Sequence, residues 1–440
     1  MHINASGHLV FGGCDTVELA RTYGTPLYVM DEMAIRKACR EFKNGLRDVY
    51  PRSEVLYASK AFCALAMCRL VDEEGLSLDV SSGGELYTAL AAGFPPDRIY
   101  FHGNNKSMDE IRLGLESRIK RFMVDSPYEL HLLNELAGGY GVKADIILRL
   151  TPGVEAHTHD YIRTGQIDSK FGIVIANGQA MEVLKEALSM DNIEVHGFHS
   201  HIGSQILEID PYVASCETMM DFIGEAYKET GFVPEELDLG GGVGVRYVPE
   251  DTRPDLKELF SRVAQTVKAK ANDYGIPVPK LLFEPGRYIV GEAGITLYTV
   301  GAVKTIPHVR KYVAVDGGMA DNPRVALYGA KYAAIIAGKA NLPPTEIVSV
   351  AGKSCESGDM LIWDIKLPPV EPGDILAVMT TGAYTYSMAS NYNRLPRPAC
   401  VFVSNGISTC VVERETYEDL IAKDRIPDAM RQERQSVAGL

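Results

Sequence analysis

Short apolar, β-branched runs alternate along the first two thirds of the chain with segments whose apolar residues recur at helical spacing. The runs lie at residues 54–59, 76–82, 98–104, 121–126, 145–150, 195–200, 236–241 and 280–286. The intervening segments predict helices, as in SPYELHLLNELAGG, where Ser126 is the expected N-cap and the glycines are the expected stop. Eight such units in about 250 residues are typical of a TIM (β/α)8 barrel. A doubly wound open sheet is the alternative.

In the last third of the chain the pattern changes to strand-like runs without intervening helices, such as DILAVMTTGAY and ACVFVSNGISTCVVER. Asn405-Gly406, between two such runs, predicts a β-hairpin. We therefore predict an α/β protein with a (β/α)8 barrel over residues 36–290 and a mostly antiparallel β domain, sandwich-like or barrel-like, over residues 291–440. The runs HLVFGG and PLYVMD assign residues 1–35 to the β domain.

Composition and charge narrow the class of function. The 440 residues are 46% hydrophobic and 23% charged, as in an ordinary globular protein, and carry a formal charge of −14. A negative balance argues against nucleic acid or an anionic membrane as the main partner. The chain has no run of 18 apolar residues and no signal-like N-terminus, and its eight cysteines form no CxxC pair. We expect a cytoplasmic protein with reduced thiols.

Polar residues follow the predicted strands, at the end of a barrel where active sites are found. They are Lys60, Asp79, His102, Asp125, Arg149, His199, His201, the glycines 240–242, Glu284 and Arg287. A lysine in such a ring can be an ion-pair partner, a general base or the amine of a Schiff base.

The loops after the seventh and eighth strands favour a phosphate site, because bare backbone N–H groups bind phosphate there in many barrels. These loops contain GGGVG and EPGR, and Ser204 adds a hydroxyl after the sixth strand. A Rossmann site would also use glycines, but this run falls too late in the chain. A phosphate-bearing ligand beside an amine suggests pyridoxal phosphate, with Glu284 paired to its pyridine nitrogen. His199 and His201, at alternate strand positions, could instead bind a metal ion. Barrel metal sites usually have further histidine or carboxylate ligands at strand ends, and the first strand here offers a lysine, so we expect no metal.

The motifs YASKAF, HSHIGSQ, LDLGGGVG, EPGR, DGGMADNPRVALYG and CESGD resemble those of the diaminopimelate decarboxylases, pyridoxal phosphate enzymes with an alanine racemase-like barrel. The match extends from residue 23 to about residue 424, and Val325 stands where such sequences often have proline. The resemblance implies decarboxylation of meso-2,6-diaminopimelate to L-lysine and CO2, the last step of lysine biosynthesis. It also implies a head-to-tail homodimer in which the CES segment completes the partner's site.

The same resemblance implies roles for individual residues. Lys60 would hold the cofactor as a Schiff base, His201 would stack on its ring, and Cys355 would protonate the carbanion. The implied cofactor-binding residues are Lys60, Asp79, His201, Ser204, Gly240, Gly241, Gly242, Glu284, Pro285, Gly286, Arg287 and Tyr384, and the substrate-binding residues are Arg287, Arg324, Tyr328, Glu356 and Tyr384. Cys355 could alternatively be a small buried hydrophobe.

The substrate class can be argued from charge. A hydrogen bond between an arginine and a distal carboxylate contributes about 1.5 to 3 kcal/mol, whereas an ammonium about 4 Å away would be repelled by about 4 kcal/mol. Arg287 and Arg324 therefore favour a distal carboxylate, and Glu356 can bind a distal ammonium. The alternatives are a carboxynorspermidine or arginine decarboxylase, a pyridoxal phosphate-binding protein without turnover, and a metal-dependent hydrolase.

Overall fold

The structure, a computed structural model, describes residues 1–154 and 168–430. The N-terminal part contains a small three-stranded sheet, a helix, a further strand and a long helix. These elements are β1 (His2–Ile3), β2 (Leu9–Phe11), β3 (Cys14–Asp15), α1 (Thr16–Tyr23), β4 (Leu27–Asp31) and α2 (Glu32–Val49). Asp15 and Asp31 are the N-caps of the two helices, because their carboxylates accept hydrogen bonds from backbone N–H groups of the first turn.

Eight parallel strands form a closed ring in the described part of the chain. The ring strands are β5 (Ser53–Ala58), β6 (Ser77–Val80), β7 (Ile99–Phe101), β8 (Arg121–Val124), β9 (Ala144–Thr151), β11 (Ile193–His199), β12 (Glu236–Asp238) and β13 (Lys280–Phe283). The short strand β10 (Ile173–Val174) pairs with β9 outside the ring. Pairing of β13 with β5 and of β8 with β9 closes the ring. The predicted barrel is confirmed, and the open sheet is excluded.

Helices connect and surround the barrel strands. They are α3 (Leu65–Glu73), α4 (Gly83–Ala91), α5 (Met108–Ser117), α6 (Pro127–Tyr140), α7 (Gln179–Ser189), α8 (Asp210–Thr230), α9 (Leu256–Tyr274) and the short α10 (Arg287–Val290). Ser126 caps α6 as predicted, because its hydroxyl accepts from the Glu129 N–H at 3.3 Å. The helix passes through Gly138 and Gly139 and stops at Gly141, whose φ of 66° is the left-handed conformation that ends helices. The predicted stop was too early.

The second domain is a mostly antiparallel sheet that includes β4. Its elements are β14 (Gly294–Ile306), β15 (Arg310–Val315), α11 (Arg324–Tyr328), β16 (Ala334–Ile336), β17 (Glu346–Ala351), β18 (Met360–Leu367), β19 (Ile375–Val378), β20 (Ala399–Ser404), β21 (Ile407–Val412) and α12 (Tyr417–Ile421). β4 pairs with β14 and β20, so PLYVMD joins this sheet as predicted. Asn405-Gly406 turns the chain between β20 and β21. The exact domain boundaries remain predictions.

The two short helices in the β domain differ from the expectation of strands alone. Pro323 precedes α11, and Thr416 forms a capping box with Asp419 at the start of α12. These local signals favour a helical turn within a strand-rich region. Within the described residues, no helix has the length and apolar character needed to cross a membrane.

An apolar layer fills the barrel interior and separates its two mouths. The layer consists of Leu56, Tyr100, Met123, Ile147 and Leu282, each at most 1% exposed. They come from different strands and point inward, as interior layers of such barrels do. Polar side chains at one mouth therefore do not contact those at the other through the interior.

Candidate active site

Lys60 lies at the C-terminal mouth of the barrel, on a short 3-10 turn that follows β5. Its Nζ lies 3.1 Å from Oδ2 of the fully buried Asp79, which belongs to the neighbouring strand β6. Burial alone would lower the pKa of Lys60, but the charge of Asp79 raises it above its usual value. The side chain is therefore an ammonium ion held by a carboxylate at a cavity wall, where 39% of it is exposed.

Glu284, the first residue after β13, lies between two histidines. His102 Nε2 is 2.6 Å from Glu284 Oε1, and His199 Nε2 is 3.3 Å from Oε2. A carboxylate only accepts hydrogen bonds, so the Nε2 atom of His199 carries a proton. Burial alone would raise the pKa of Glu284, but the two histidines hold it well below its usual value. Burial lowers the pKa of His199 to about 3, so this ring is neutral at neutral pH.

His201 and Ser204 lie on the loop after β11. The Gly241 N–H donates to His201 Nδ1 at 3.2 Å, and Ser204 Oγ accepts from Arg287 Nη2 at 2.8 Å. Burial, followed by the charge of Lys60, lowers the pKa of His201 well below its usual value, so the imidazole is neutral. The loop thus connects the glycine run to the EPGR segment.

The histidine pair proposed as a metal site from strand alternation is not brought together around one point. The three-residue group whose ligand atoms lie within 4.8 Å of one another in the described residues is His102, His199 and Glu284, without His201. Both Nε2 atoms of this group already point at the carboxylate oxygens. Its arrangement is that of a buried, hydrogen-bonded acid, and the expectation of no bound metal remains a prediction.

Glycines 240–242 pack backbone against backbone. A Cβ atom on Gly241 would lie 2.1 Å from the carbonyl oxygen of Glu284, and one on Gly242 would lie 2.2 Å from that of Gly203. Gly242 also has a φ of 94°, which favours glycine. This run places bare backbone beside the Ser204 hydroxyl, an arrangement suited to an anion such as phosphate.

Two arginines from different domains line the cavity. Arg287 begins α10 and Arg324 begins α11, and each is 6% exposed. Tyr247 Oη accepts from Arg287 Nη1, and Tyr332 Oη accepts from Arg324 Nη1 at 2.5 Å. Sequence reasoning missed both tyrosines, because no local pattern distinguishes them from the other buried tyrosines.

Tyr384 has an unusual backbone conformation for a bulky residue. Its φ is 59°, in the left-handed region, and its N–H donates to the Ala61 carbonyl at 2.8 Å. Its ring centroid lies 4.7 Å from the Arg287 guanidinium carbon. The strained conformation turns the ring toward the cavity, and such outliers often occur at functional sites.

A cavity of about 340 Å³ joins these groups. Its lining includes most of the predicted residues, namely Lys60, His201, Ser204, Gly242, Glu284, Gly286, Arg287, Arg324, Tyr328 and Tyr384. Asp79, Gly240, Gly241 and Pro285 lie behind this wall, where the Pro285 carbonyl accepts from the Ala58 N–H at 3.3 Å. Ala58, Phe171 and Met388 also line the cavity and were not predicted.

Asp125, directly after β8, and Arg149, near the C-terminal end of β9, form a separate part of the polar ring. Arg149 Nε lies 3.5 Å from Asp125 Oδ1, and its guanidinium carbon lies 4.4 Å from the Phe171 ring centroid. Burial lowers the pKa of Arg149. This pair places Phe171 against the cavity.

Cys355 and Glu356 do not line the cavity of their own chain. Both are exposed, on the loop between β17 and β18, and the Cys355 N–H donates to Asn393 Oδ1 at 2.7 Å. One chain therefore does not bring Cys355 to Lys60. Their assignment to an active site remains a prediction that requires a second chain.

The residues of this cavity fit pyridoxal phosphate. They combine a lysine amine, an ionised buried carboxylate and a glycine-walled pocket with a hydroxyl donor. The glycine wall is informative, because a Cβ atom on Gly286 would lie 3.0 Å from the Ala58 carbonyl oxygen. Amine, carboxylate and phosphate-binding backbone are the three groups that this cofactor needs.

Comparison with known proteins gives a consistent result. The family model "Pyridoxal-dependent decarboxylase, pyridoxal binding domain" matches residues 32–291. The diaminopimelate decarboxylase of Bacillus subtilis (strain 168) is 53% identical over 421 residues, which are 96% of this chain and 96% of that protein. The diaminopimelate decarboxylase of Staphylococcus aureus (strain COL) is 43% identical over 96% of this chain and 98% of its own length.

Solved structures show the same similarity. Diaminopimelate decarboxylase from M. jannaschii in co-complex with L-lysine has a TM-score of 0.90 and 40% identity, covering 98% of both chains. The Helicobacter pylori enzyme complexed with L-lysine has a TM-score of 0.85 and 32% identity, covering 93% of this chain and 98% of that one.

Proposed function

The chain belongs to the diaminopimelate decarboxylases, a family of pyridoxal-dependent enzymes, and we propose that its barrel-mouth cavity converts meso-2,6-diaminopimelate to L-lysine and CO2. This is the last step of lysine biosynthesis by the diaminopimelate route. One observation carries the proposal: a single cavity of about 340 Å³ has Lys60, ionised Glu284 and the two arginines on its walls.

Pyridoxal phosphate, when bound, takes up the electrons left on Cα as CO2 leaves. Lys60 supplies the amine that attaches the cofactor's aldehyde. Because the neighbouring carboxylate raises the pKa of Lys60, the amine has to give up a proton before it can act as a nucleophile. Asp79 Oδ2, 3.1 Å away, stabilises the ammonium form and holds the amine at the cavity wall.

Glu284 provides the negative charge that holds a proton on the ring nitrogen and so strengthens electron withdrawal. Its carboxylate is ionised because His102 and His199 lower its pKa. A positively charged arginine at this position would weaken the withdrawal. His201, a neutral ring on the same cavity, would pack against the bound cofactor.

The phosphate is assigned to the glycine-walled end of the cavity. Ser204 offers a hydroxyl, and the backbone at Gly242 and Gly286 reaches the wall without a side chain in the way. The remaining cofactor residues, Gly240, Gly241, Pro285, Arg287 and Tyr384, shape this end through their backbone and ring contacts.

The substrate's distal carboxylate is assigned to Arg287, Arg324 and Tyr328, which line the cavity together with Tyr384. Arginine and carboxylate make strong, directional hydrogen bonds. Holding the far end of the substrate would orient its Cα bonds in the cavity, and this orientation would favour loss of the carboxylate as CO2.

The site is completed by a second chain in a head-to-tail homodimer. Cys355 of the partner subunit protonates Cα after CO2 leaves, and Glu356 of the partner subunit binds the distal ammonium. The support is that both residues are exposed and lie outside the cavity of their own chain. The eight free cysteines agree with a cytoplasmic enzyme.

The test is turnover by the purified holoenzyme. We expect equal amounts of CO2 and L-lysine from meso-diaminopimelate, and little CO2 from arginine or carboxynorspermidine assayed side by side. The cofactor bound to Lys60 should give an absorbance band at about 420 nm. Faster CO2 release from either alternative would reassign the substrate. Tightly bound zinc without the absorbance band would contradict the cofactor.

A further inference from the structure

Arg287 and Arg324 have to be held close to one another although both are positively charged and nine-tenths buried. They reach the cavity from different domains, one directly after the barrel strand β13 and the other from α11. Like charges repel strongly when buried. Some part of the protein must therefore fix their separation and direction before a substrate carboxylate arrives.

Tyr247 contacts both guanidinium groups. Its hydroxyl accepts from Arg287 Nη1, and its ring centroid lies 5.6 Å from the Arg287 guanidinium carbon and 4.7 Å from that of Arg324. A cation within about 6 Å of an aromatic ring face is attracted to it. One side chain thus stabilises both charges.

Tyr332 completes the arrangement from the β domain. Its hydroxyl accepts from Arg324 Nη1 at 2.5 Å and donates to Asn322 Oδ1 at 3.4 Å, which fixes the direction of the hydroxyl lone pairs. The rings of Tyr332 and Tyr247 meet edge to face, with centroids 5.4 Å apart and planes at 86°. The two tyrosines, 3% and 7% exposed, pack as one unit.

The backbone of Tyr247 joins the two domains at this point. Its N–H donates to Asp251 Oδ2 at 2.9 Å within the barrel loop, and its carbonyl accepts from the Ala333 N–H at 3.3 Å in the β domain. Ala333 directly follows Tyr332, so the same contact positions both rings. A shift of one domain relative to the other would separate the arginines.

Both arginines line the cavity, and one nitrogen of each guanidinium has no hydrogen-bond partner in the described residues. The Nε atoms of Arg287 and Arg324 are buried and have no hydrogen-bond partner in residues 1–154 and 168–430. An arginine anchored through Nη1 and open at Nε can still donate to a carboxylate.

We propose that Tyr247 and Tyr332 are positioning residues that set the spacing of Arg287 and Arg324, and so determine the preference for a ligand with a distal carboxylate. The inference rests on the proposed function, in which the two arginines bind that carboxylate. It assigns a role in recognition to two side chains that need not touch the reacting atoms.

The test uses Tyr247→Phe and Tyr332→Phe in the cofactor-saturated holoenzyme. Each variant keeps the ring and loses one acceptor of an arginine N–H. We expect KM for meso-diaminopimelate and the inhibition constant of L-lysine to rise by about 10-fold or more, while kcat falls much less. Inhibition by cadaverine, which is L-lysine without its carboxylate, should be unchanged.

Tyr50→Phe is the matched control. Tyr50 is 2% exposed, and its hydroxyl donates to the Pro279 carbonyl at 2.6 Å, remote from the cavity. It should change Tm but not the ratio of the L-lysine and cadaverine inhibition constants. If one active-site variant fails to fold, the other carries the test, because each removes a separate hydroxyl.

Two results would overturn the inference: an unchanged ratio with an unchanged KM, or an equal loss of affinity for L-lysine and cadaverine, which would indicate general distortion. Both presuppose a wild-type enzyme that releases CO2 from meso-diaminopimelate. A wild-type enzyme without this turnover would remove the proposed function itself, which is a distinguishable result.

Discussion

Glu54 and Glu284 lie at opposite mouths of the same barrel, and both are ionised for different reasons. Glu54 contacts Lys120 at 3.0 Å and also Lys280 and Ser77, whereas Glu284 contacts two histidines. Burial alone would raise the pKa of Glu54, but the two lysines lower it to about 2. At the N-terminal mouth, two lysine ammonium groups neutralise the Glu54 carboxylate. At the C-terminal mouth, two histidine rings contact the Glu284 carboxylate.

The two mouths also differ in how completely their polar atoms are satisfied. At the C-terminal mouth, Asp79 Oδ1, His199 Nδ1 and the two arginine Nε atoms are buried without a hydrogen-bond partner in the described chain. At the N-terminal mouth, Arg121 Nε contacts Glu236 Oε2 at 3.0 Å, and Tyr100 donates to Glu54 at 3.2 Å. Paired charges therefore stabilise the N-terminal mouth, whereas the C-terminal mouth, where barrel enzymes have their active sites, contains buried polar atoms without a partner among the described residues.

Replacing one lysine by alanine at each mouth should give the largest difference between the two mouths in activity and stability. Lys60→Ala should lower turnover by about 10⁴-fold or more while the chain still folds, because the amine that binds the cofactor is lost and the apolar core is untouched. Lys280→Ala should keep turnover and lower the free energy of unfolding by about 1 to 3 kcal/mol. Activity assays and thermal unfolding of both variants check this. Wild-type-like rates in Lys60→Ala would refute the mechanism.

Mixing variants tests whether the C-terminal mouth needs a second chain. Lys60→Ala and Cys355→Ala homodimers should each be inactive. In an equal mixture after subunit exchange, half of the dimers are mixed and have one intact site of two, so activity should recover to about a quarter of wild type. Exchange is verified with differently tagged chains. No recovery after verified exchange would place Cys355 and Lys60 in the same chain's site, or in none.

Arg324→Ala tests the ligand-binding part of the C-terminal mouth. KM for meso-diaminopimelate should rise by about 10- to 100-fold with a smaller effect on kcat, because hydrogen bonds to charged groups contribute about 1.5 to 3 kcal/mol. Arg310→Ala is the control, since Arg310 contacts Asp364 at 3.2 Å on the exposed β-domain surface. An unchanged KM in Arg324→Ala would remove the argument for a dicarboxylate substrate.

The C-terminal mouth was largely predictable, because each of its residues follows a strand that can be recognised from the local sequence. Parallel strands end at one mouth, so Lys60, Asp79 and Glu284 could be placed together from strand patterns alone. Likewise Ser126 caps α6, because its partner Glu129 lies three residues away. Strand ends and helix caps are both marked by residues close together in the sequence, so both could be predicted.

Other contacts left no such pattern. Tyr247 approaches Arg324 and Tyr332 only because two domains pack together, and no spacing in the sequence records that packing. Glu54 and Lys280 are charged residues at strand starts, where the pattern alone suggests exposed ends. Barrel closure brings β13 beside β5 and makes the pair a partly buried ion pair.

Loss of one charge at the N-terminal mouth should lower the free energy of unfolding and leave the activity unchanged. Glu54→Gln leaves Lys120 and Lys280 without their shared carboxylate, and Lys120 is 22% exposed. Removing one partner of a buried pair costs about 3 to 5 kcal/mol, and the incomplete burial here places the expected loss near the lower value. Urea unfolding measures this loss, and kcat/KM should stay at the wild-type value.

The stability difference between wild type and Glu54→Gln should also depend on pH. The pKa of Glu54 is about 2 in the folded chain and about 4.5 when unfolded, so its contribution is complete above pH 4.5 and disappears as pH falls toward 2. This difference in pKa corresponds to about 3.4 kcal/mol. The difference in unfolding free energy between wild type and Glu54→Gln should therefore be constant from pH 7 to 5 and shrink between pH 4.5 and 3. A difference that stays constant to pH 3 would show that the lysines do not hold Glu54 ionised, and the contrast between the two mouths would rest on hydrogen bonding alone.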